Sequence, residues 1–176
     1  SGVFIMTNKS EKNVFFFADC VLNIIPTAEQ LAEIALTTAQ TAIEFGIKPR
    51  VAMLSFSTRA SAKHELIDKV RIATELVKQK DKELIIDGEI QIDAAIVPEV
   101  MKRKCPDSVL EGKANILIFP DLNSGNTGYK LVERLGKYKA IGPIMQGLNK
   151  PLNDLSRGCS VQDVVDLCAI TVIQSL

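Results

Sequence analysis

The stretch Pro49-Arg-Val-Ala-Met-Leu-Ser-Phe-Ser-Thr58 begins a unit of strand, polar loop and helix, and the same order of elements recurs along the chain. Its apolar run, Val51–Ser55, is short and follows a proline, which is typical of a strand buried on both faces. A segment rich in hydroxyl groups follows at 57–62. A helix is then predicted over about His64–Lys80, with its apolar stripe at Leu66, Val70, Ala73 and Val77.

Further strands and helices alternate on both sides of this unit. The other buried strands are predicted at Leu84–Asp87, Ala114–Phe119 and Tyr138–Met145. One further helix is predicted from the capping box Thr27-Ala-Glu-Gln30 to a stop at Gly46. Another is predicted over Ala94–Lys104, with Ile96, Val97, Val100 and Met101 facing inward. The last two run from the glycine-rich turn Asn123–Gly128 to about Leu135 and from Ser160 to about Ser175. This alternation predicts parallel βαβ units in a sheet covered by helices on both faces.

Two apolar runs at the start of the chain predict a β-hairpin. They are Val3–Met6 and Val14–Asp19, and the polar residues 7–13 separate them. A hairpin before the βαβ units predicts an antiparallel edge on an otherwise parallel sheet. The predicted fold is therefore a three-layer α/β/α domain with a mixed, mostly parallel sheet.

Composition excludes several kinds of function. The 176 residues carry 21 basic and 21 acidic side chains, so no overall positive field favours nucleic acid. The only histidine, His64, lies in a charged helical stretch, and no C-x-x-C pair is present, which argues against a zinc site and against histidine-dependent catalysis. No signal peptide or membrane-spanning run is visible, so we expect a cytoplasmic protein with reduced cysteines. A first residue that is not Met, followed at once by a strand, suggests a piece of a longer chain.

Ligands of open α/β sheets bind beyond the carboxyl ends of the strands, where this chain places four polar segments. They are Phe56–Arg59, Asp87–Asp93, Pro120–Asn126 and the stretch from Gly142 to Asp163. The last is dense in Gly, Pro and Asn, and it carries Ser156 and Arg157 shortly before a helix. A cation, a hydroxyl and a carboxylate at a helix N-terminus suit an anionic substrate.

Each candidate also has a purely structural interpretation. Ser57 and Thr58 are possible helix caps, and the Gly125–Gly128 turn matches neither phosphate-loop motif. Lys130 could lie along the surface, and the acids Asp87, Glu89 and Asp93 could serve as metal ligands or simply solvate a strand end.

Asp163 likewise has both a structural and a catalytic interpretation. Three positions after Ser160, it completes a capping box, which local sequence favours over a catalytic role. Arg157, between Ser156 and Gly158, is poorly placed for helix pairing and well placed to grip phosphate or a developing oxyanion.

The chain resembles the C-terminal part of phosphate acetyltransferases. The resemblance rests on motifs spread over nearly the whole chain: Ser1-Gly-Val-Phe, Phe17-Ala-Asp-Cys20, Pro49–Thr58, Asp87-Gly-Glu-Ile-Gln-Ile-Asp-Ala-Ala95, Phe119-Pro-Asp-Leu, Gly125-Asn-Thr-Gly-Tyr-Lys130 and Gly142-Pro-Ile…Asp-Leu-Ser-Arg-Gly158. It implies a fold like that of isocitrate and isopropylmalate dehydrogenases, and reversible acetyl transfer between coenzyme A and inorganic phosphate.

The resemblance also implies roles for individual residues. Asp163 would take the proton of the coenzyme A thiol, Ser156 would hydrogen-bond the sulfur or the intermediate, and Arg157 would hold phosphate and the oxyanion. No cofactor is implied, because coenzyme A is itself a substrate, and no covalent enzyme intermediate is needed. We expect the other contacts to coenzyme A and phosphate to be made by Ser55, Ser57, Thr58, Asn126, Tyr129, Lys130, Gly147, Asp154 and Gly158.

The resemblance covers only part of the family's length. Family members carry another α/β domain before the Ser-Gly-Val-Phe motif, so the chain is expected to be truncated at its N-terminus. Residues 1–140 would form the second domain, and residues 141–176 would belong with the absent one. The full enzyme would be a homodimer of acetate metabolism, and this chain alone would be nearly inactive. The alternatives are a phosphate butyryltransferase and a non-catalytic, acetyl-CoA-binding domain of a malic enzyme; a dehydrogenase would need a nucleotide fingerprint that is missing.

Overall fold

The computed structural model describes residues 1–8 and 13–175, which form a helix-covered sheet. The strands are β1 (Gly2–Thr7), β2 (Val14–Ala18), β3 (Arg50–Leu54), β4 (Ile85–Ile90), β5 (Ile116–Ile118) and β6 (Lys139–Met145). The helices are α1 (Ala28–Glu44), α2 (Glu65–Lys80), α3 (Ile92–Ile96), α4 (Pro98–Lys104), α5 (Leu122–Arg134) and α6 (Val161–Ile173). None of these described helices is long and apolar enough to cross a membrane.

The strand order is β4-β3-β5-β2-β1-β6. Strand β1 is antiparallel to both of its neighbours, while the β2–β5, β5–β3 and β3–β4 pairs are parallel. The mixed, mostly parallel sheet is therefore confirmed. The prediction that the hairpin lies at the edge was wrong, because β6 pairs with the free side of β1. Part of the hairpin connection, residues 9–12, lies outside the described residues.

Successive side chains of each strand enter opposite hydrophobic clusters. Val3 and Ile5 face one cluster with α1, α2 and α6, whereas Phe4 and Met6 face the other with α3, α4 and α5. Within β2, Phe16 joins the first cluster and Phe17 the second, so this strand is covered on both sides as predicted. The alternation follows from the two-residue period of a strand, and it produces three layers.

Two helix predictions need correction. The helix expected over Ala94–Lys104 is broken into α3 and α4 at Val97, because Pro98 disfavours a helical conformation in the residue before it. Ile96 and Val97 are exposed rather than inward, and so is Leu66, since the α2 stripe begins at Ile67.

The glycine-rich segment 123–128 is not a turn but the first part of α5, which Asp121 caps. A Cβ atom on Gly125 would lie 2.2 Å from the Asp19 carbonyl oxygen. One on Gly128 would lie 2.9 Å from the ring of Phe119. These glycines therefore allow α5 to approach the ends of β2 and β5 closely.

Candidate functional site

The carboxyl ends of the five mutually parallel strands lie at one edge of the sheet, as the sequence predicts for a ligand site. The segment after β2 is organised by Asp19, a residue that the sequence interpretation missed. Its carboxylate, 2% exposed, accepts hydrogen bonds from the backbone of Gly2 (3.1 Å), Val21 (2.8 Å), Leu22 (3.2 Å) and Asn23 (2.9 Å). Burial alone would raise the pKa of Asp19, but these donors bring it below its ordinary value. Asp19 is thus a buried structural anion.

The segment after β6 forms a strap, residues 147–160, that leads to α6. Its middle is held against β6 and the core, because the Asp154 amide donates to the Pro143 carbonyl oxygen (3.3 Å) and Leu155 packs against the core. Gly147 provides the turn away from the strand, with a φ of +75°. The carboxylate of Asp154 is on an exposed residue of the strap.

The tip of the strap carries Ser156, Arg157 and Gly158, all exposed. The Ser156 carbonyl oxygen accepts from the Cys159 amide (3.1 Å), which closes a tight turn around Arg157. Within the described part of the chain, no acidic side chain or hydrogen-bond acceptor is paired with the Arg157 guanidinium. A cation held at a turn without a protein partner is available to an anion from outside.

The helix that follows begins with Asp163 in the predicted capping box. Its Oδ2 atom accepts from the Ser160 amide (2.8 Å) and the Ser160 hydroxyl (2.8 Å). These hydrogen bonds lower the pKa of Asp163, so the carboxylate is charged at neutral pH. Its Oδ1 atom receives no hydrogen bond from the described residues. One oxygen therefore caps α6 while the other is free to accept a proton, and the structural and catalytic interpretations are compatible.

The hydroxyls after β3 have a different environment. Ser57 is 0% exposed and its Oγ atom donates to Glu89 Oε1 (3.2 Å), while Thr58 donates to Gln91 Oε1 (3.2 Å). Ser55 is half-buried, and its Oγ atom accepts from the Ser57 amide (3.3 Å). Four strand spacings of ~4.8 Å separate β3 from β6, roughly 19 Å in all. A ligand that touched both this loop and the strap would have to be as extended as coenzyme A.

Three predicted ligand residues meet on α5. Lys130 donates to Asn126 Oδ1 (2.8 Å), and Asn126 donates to the Cys20 carbonyl oxygen (3.1 Å). The Tyr129 ring stacks on Phe4 at 4.0 Å between centroids, with Lys130 Nζ 5.7 Å above the Tyr129 centroid. This group lies on the face of the sheet opposite α6.

The acids considered as metal ligands have protein partners. Asp87 accepts from Arg59 (2.8 Å) and Ser108 (2.5 Å), and Asp93 pairs with Lys104 (2.8 Å). Over residues 1–8 and 13–175, no group of three or more His, Cys, Asp or Glu side chains could hold a metal ion. His64 caps α2, accepting from the Leu66 amide (3.2 Å), as expected for a surface residue.

A second surface feature is an apolar cleft of about 930 Å³ between α3 and α5. Its floor is made by Phe17, Leu117 and Phe119. Its walls include Ile96, Leu131 of α5 and Leu135 directly after α5, and both leucines are strongly exposed. The sequence interpretation did not predict this cleft, because it placed Ile96 in the core.

Residues 1–172 match the family model described as "Phosphate acetyl/butaryl transferase". The chain is 54% identical to a phosphate acetyltransferase of Bacillus subtilis, over all of this chain and 54% of the relative. It is 58% identical to that of Thermoanaerobacterium thermosaccharolyticum, over 94% of this chain and 51% of the relative. The chain therefore spans about half the length of these curated relatives.

Solved structures show the same likeness. A phosphotransacetylase from Streptococcus pyogenes matches 99% of this chain and 53% of its own, with a TM-score of 0.95 and 55% identity. The EutD phosphotransacetylase of Staphylococcus aureus matches all of this chain and 54% of its own, with a TM-score of 0.94 and 50% identity. A branched-chain phosphotransacylase from Enterococcus faecalis shares the fold at 24% identity and a TM-score of 0.81.

Proposed function

The chain belongs to the phosphate acetyl/butaryl transferase family, and we propose that it supplies one wall of the active site of a phosphate acetyltransferase. The reaction is reversible transfer of an acetyl group between coenzyme A and inorganic phosphate. The observation that carries the proposal is the unpaired guanidinium of Arg157 at the tip of the strap, beside Ser156 and before Asp163. The relatives named phosphate acetyltransferase support acetyl rather than butyryl as the acyl group.

We assign the chemical steps as follows. Asp163 Oδ1 accepts the proton of the coenzyme A thiol, and the resulting thiolate attacks the carbonyl carbon of acetyl phosphate. A C–S bond forms, the C–O bond to phosphate breaks, and phosphate leaves as an anion beside Arg157. The guanidinium carries the charge of the tetrahedral oxyanion and then of phosphate, while Ser156 donates a hydrogen bond to the reacting group. The parts of coenzyme A and phosphate that do not react at these three residues would bind Ser55, Ser57, Thr58, Asn126, Tyr129, Lys130, Gly147, Asp154 and Gly158.

No cofactor takes part in this scheme, since coenzyme A is consumed as a substrate. The resemblance further supports a cytoplasmic enzyme of acetate metabolism that binds acetyl-CoA and phosphate and no nucleic acid.

We propose that residues 1–140 form one domain of the complete protein and that residues 141–176, whose β6 and α6 pack on that domain here, also pack on a further domain. Helix α6 contacts the core through Leu167 and Ile170 alone. Its other side exposes apolar residues, including Val161 (83% exposed), Val165 and Val172. Apolar surface of this kind is typical of an interface. The relatives are longer than this chain, and the part of the complete protein that corresponds to this extra length is a candidate to cover the apolar side of α6.

The homodimer expected from the resemblance would use the apolar cleft between α3 and α5. A basic residue at Leu131 would then be buried in the dimer, so we expect Leu131→Arg to give monomers by light scattering. Leu66→Arg changes an equally exposed leucine on the other face and should leave the dimer intact. A monomeric wild-type protein would disprove the dimer, and a dimeric Leu131→Arg variant would disprove the surface.

The test of function is turnover by the complete natural protein. We expect release of coenzyme A from acetyl-CoA that requires phosphate and yields acetyl phosphate, and slower release from butyryl-CoA. The 176-residue chain alone should show little or no turnover, because the strap is only one wall of the site. Preference for butyryl-CoA would indicate the butyryl enzyme. Oxidation of malate by the complete protein, with no acetyl phosphate formed, would indicate a regulatory domain instead.

A further inference from the structure

We propose that Asn153 is a positioning residue, which fixes the distance between the Ser156–Arg157 turn and Asp163. This inference rests on the proposed function, because it concerns the geometry of that site. It assigns a role to a side chain that touches no substrate.

The amide of Asn153 bonds β6 and α6 at once. Its Oδ1 atom accepts from the Met145 amide (3.0 Å), at the end of β6. Its Nδ2 atom donates to Thr171 Oγ1 (2.8 Å) and to Gln174 Oε1 (2.8 Å), at the end of α6. Backbone pairing of residue 153 with Ile144 places the side chain between the two elements. Three of the four hydrogen-bonding positions of the Asn153 amide are therefore used.

The part of the strap from Asn153 to Ser160 therefore extends from the end of α6 back to its beginning, and it is held at both of these residues. Asn153 holds it beside Gln174, while the capping box of Ser160 and Asp163 holds it at the other end. The eleven positions from Asp163 to Gln174 correspond to roughly 16 Å along a helix. Arg157 lies between these two pins. Among the described strap residues, no other side chain bonds both β6 and α6.

Loss of the Asn153 bonds leaves the Asp154 amide and the Leu155 side chain to hold this part of the strap, and neither of them bonds α6, so the turn should shift relative to Asp163. Such a shift matters most for chemistry, because a misplacement of ~1 Å can lower turnover about a hundredfold. The Asn153 side chain also contributes to stability, so the inference needs a control that separates the two effects.

Asn115 provides this control at the opposite end of the sheet. Its Oδ1 atom accepts from the Arg50 amide (2.8 Å) and its Nδ2 atom donates to the Lys48 carbonyl oxygen (2.9 Å). Like Asn153, it is half-buried and joins segments distant in sequence. Unlike Asn153, it precedes β5 and lies at the amino ends of the strands. Asn115→Ala therefore removes a similar clamp far from the candidate site.

The experiment compares Asn153→Ala with Asn115→Ala in the complete natural protein, at a temperature well below both melting points. We expect both to lower the Tm, and only Asn153→Ala to lower kcat, by about 10- to 100-fold, with KM for coenzyme A changed less than threefold. The conservative Thr171→Ser keeps the hydroxyl acceptor and should retain kcat, whereas Thr171→Val should lose part of it.

Several outcomes would overturn the inference. Unchanged kcat in Asn153→Ala, or an equal fall in Asn115→Ala, would show that Asn153 is structural only. If Asn153→Ala does not fold, Thr171→Val and Gln174→Ala remove its α6 acceptors singly, and wild-type kcat in both would contradict the role. A wild-type protein without acetyl-phosphate synthesis would disprove the proposed function, and with it this inference. Normal turnover in every variant would disprove the inference alone.

Discussion

Two loops at the carboxyl edge of the sheet have similar composition and different environments. The loop at 57–62, after β3, buries Ser57 and Thr58, whose hydroxyl groups donate hydrogen bonds to Glu89 of the edge strand β4 and to Gln91 just after it. The strap at 147–160, after β6, exposes Ser156 and Arg157 to solvent. In the first loop the fold satisfies the polar groups, and in the second it leaves them available.

The difference shows that a small polar loop after a buried strand is not in itself evidence of a ligand site. The loop after β3 is bonded to the edge strand β4, since the Arg59 amide donates to the Glu89 carbonyl oxygen (3.4 Å) and Ser57 donates to the Glu89 carboxylate. Such contacts protect an edge strand from pairing with other chains. The strap is likewise bonded to the edge strand β6 through residues 153 and 154, but Ser156 and Arg157 at its tip take no part in that pairing. The arginine therefore needs a different explanation, and an anionic substrate supplies one.

The largest expected effect is that of Arg157→Ala on turnover. Loss of a preorganised cation at a developing oxyanion should lower kcat by roughly 10²- to 10³-fold in the complete natural protein. The Tm should change by less than about 2 °C, because the side chain is exposed and unpaired. Steady-state kinetics and calorimetry measure both. Arg103→Ala, an exposed arginine on α4, is the control and should change neither. Wild-type-like turnover in Arg157→Ala would contradict the role of Arg157, and the strap would then be no more functional than the loop after β3.

The next effect should fall on stability instead of activity. Glu89 is buried, and its Oε1 atom accepts from Ser57 Oγ (3.2 Å) and from the Ala60 amide (2.6 Å). Glu89→Ala removes the buried acceptor of both donors and leaves the Ala60 amide without this partner, which should lower the free energy of unfolding by about 2–4 kcal/mol.

Chemical denaturation measures this loss. The kcat per folded molecule should remain at the wild-type value, because Ser57 and Thr58 are proposed to bind substrate and not to contact the reacting atoms. A tenfold fall in kcat at low temperature would mean that the loop after β3 contributes directly to the chemistry. The closed loop would then be as functional as the open strap.

The smallest expected effect combines both properties in Ser160→Ala. The change removes the cap of α6, at a cost of about 1 kcal/mol, and one hydrogen bond to Asp163. Because that bond lowers the pKa of Asp163, its loss should raise the pKa. A base must be deprotonated to act, so the acidic limb of the kcat–pH profile should move to higher pH.

The corresponding stability effect has a defined pH range. Asp163 has a lower pKa in the folded than in the unfolded state, so its stabilising contribution is present above its ordinary pKa of about 4. It is lost as the pH falls through the lowered value. Thermal melts between pH 3 and 7 should show a smaller pH dependence in Ser160→Ala. An unshifted acidic limb would argue against Asp163 as the base.

Much of the fold could be predicted because strands, caps and helix stripes are local signals. The capping boxes at Thr27 and Ser160 were predicted from four residues each, and both are confirmed. Signals that depend on the partner element were not available. Gly125 was assigned to a turn because its close approach to Asp19 is a contact across 106 positions of sequence. The place of the hairpin within the sheet likewise depends on β6.

The candidate site shows the same division. The motif around Arg157 drew attention to the strap from the sequence, and its ligand residues stay predictions. The buried carboxylate of Asp19 and the clamp of Asn153 were missed, because short polar residues beside a loop are unremarkable until their donors and acceptors are known. The sequence signal for residues of this kind would be a single Asp or Asn after a buried strand. Because that pattern is also frequent in ordinary turns, it does not identify them.

The pairing of β1 with β6 joins the first and last strands of the described chain, with Gly2 opposite Met145. Contacts so distant in sequence carry a large loop-closure cost and form late in folding. During synthesis, β6, the strap and α6 also leave the ribosome after the other segments of the described sheet. We therefore expect the candidate site to be assembled after the rest of the sheet, so that a nascent chain acquires a core before it acquires this site.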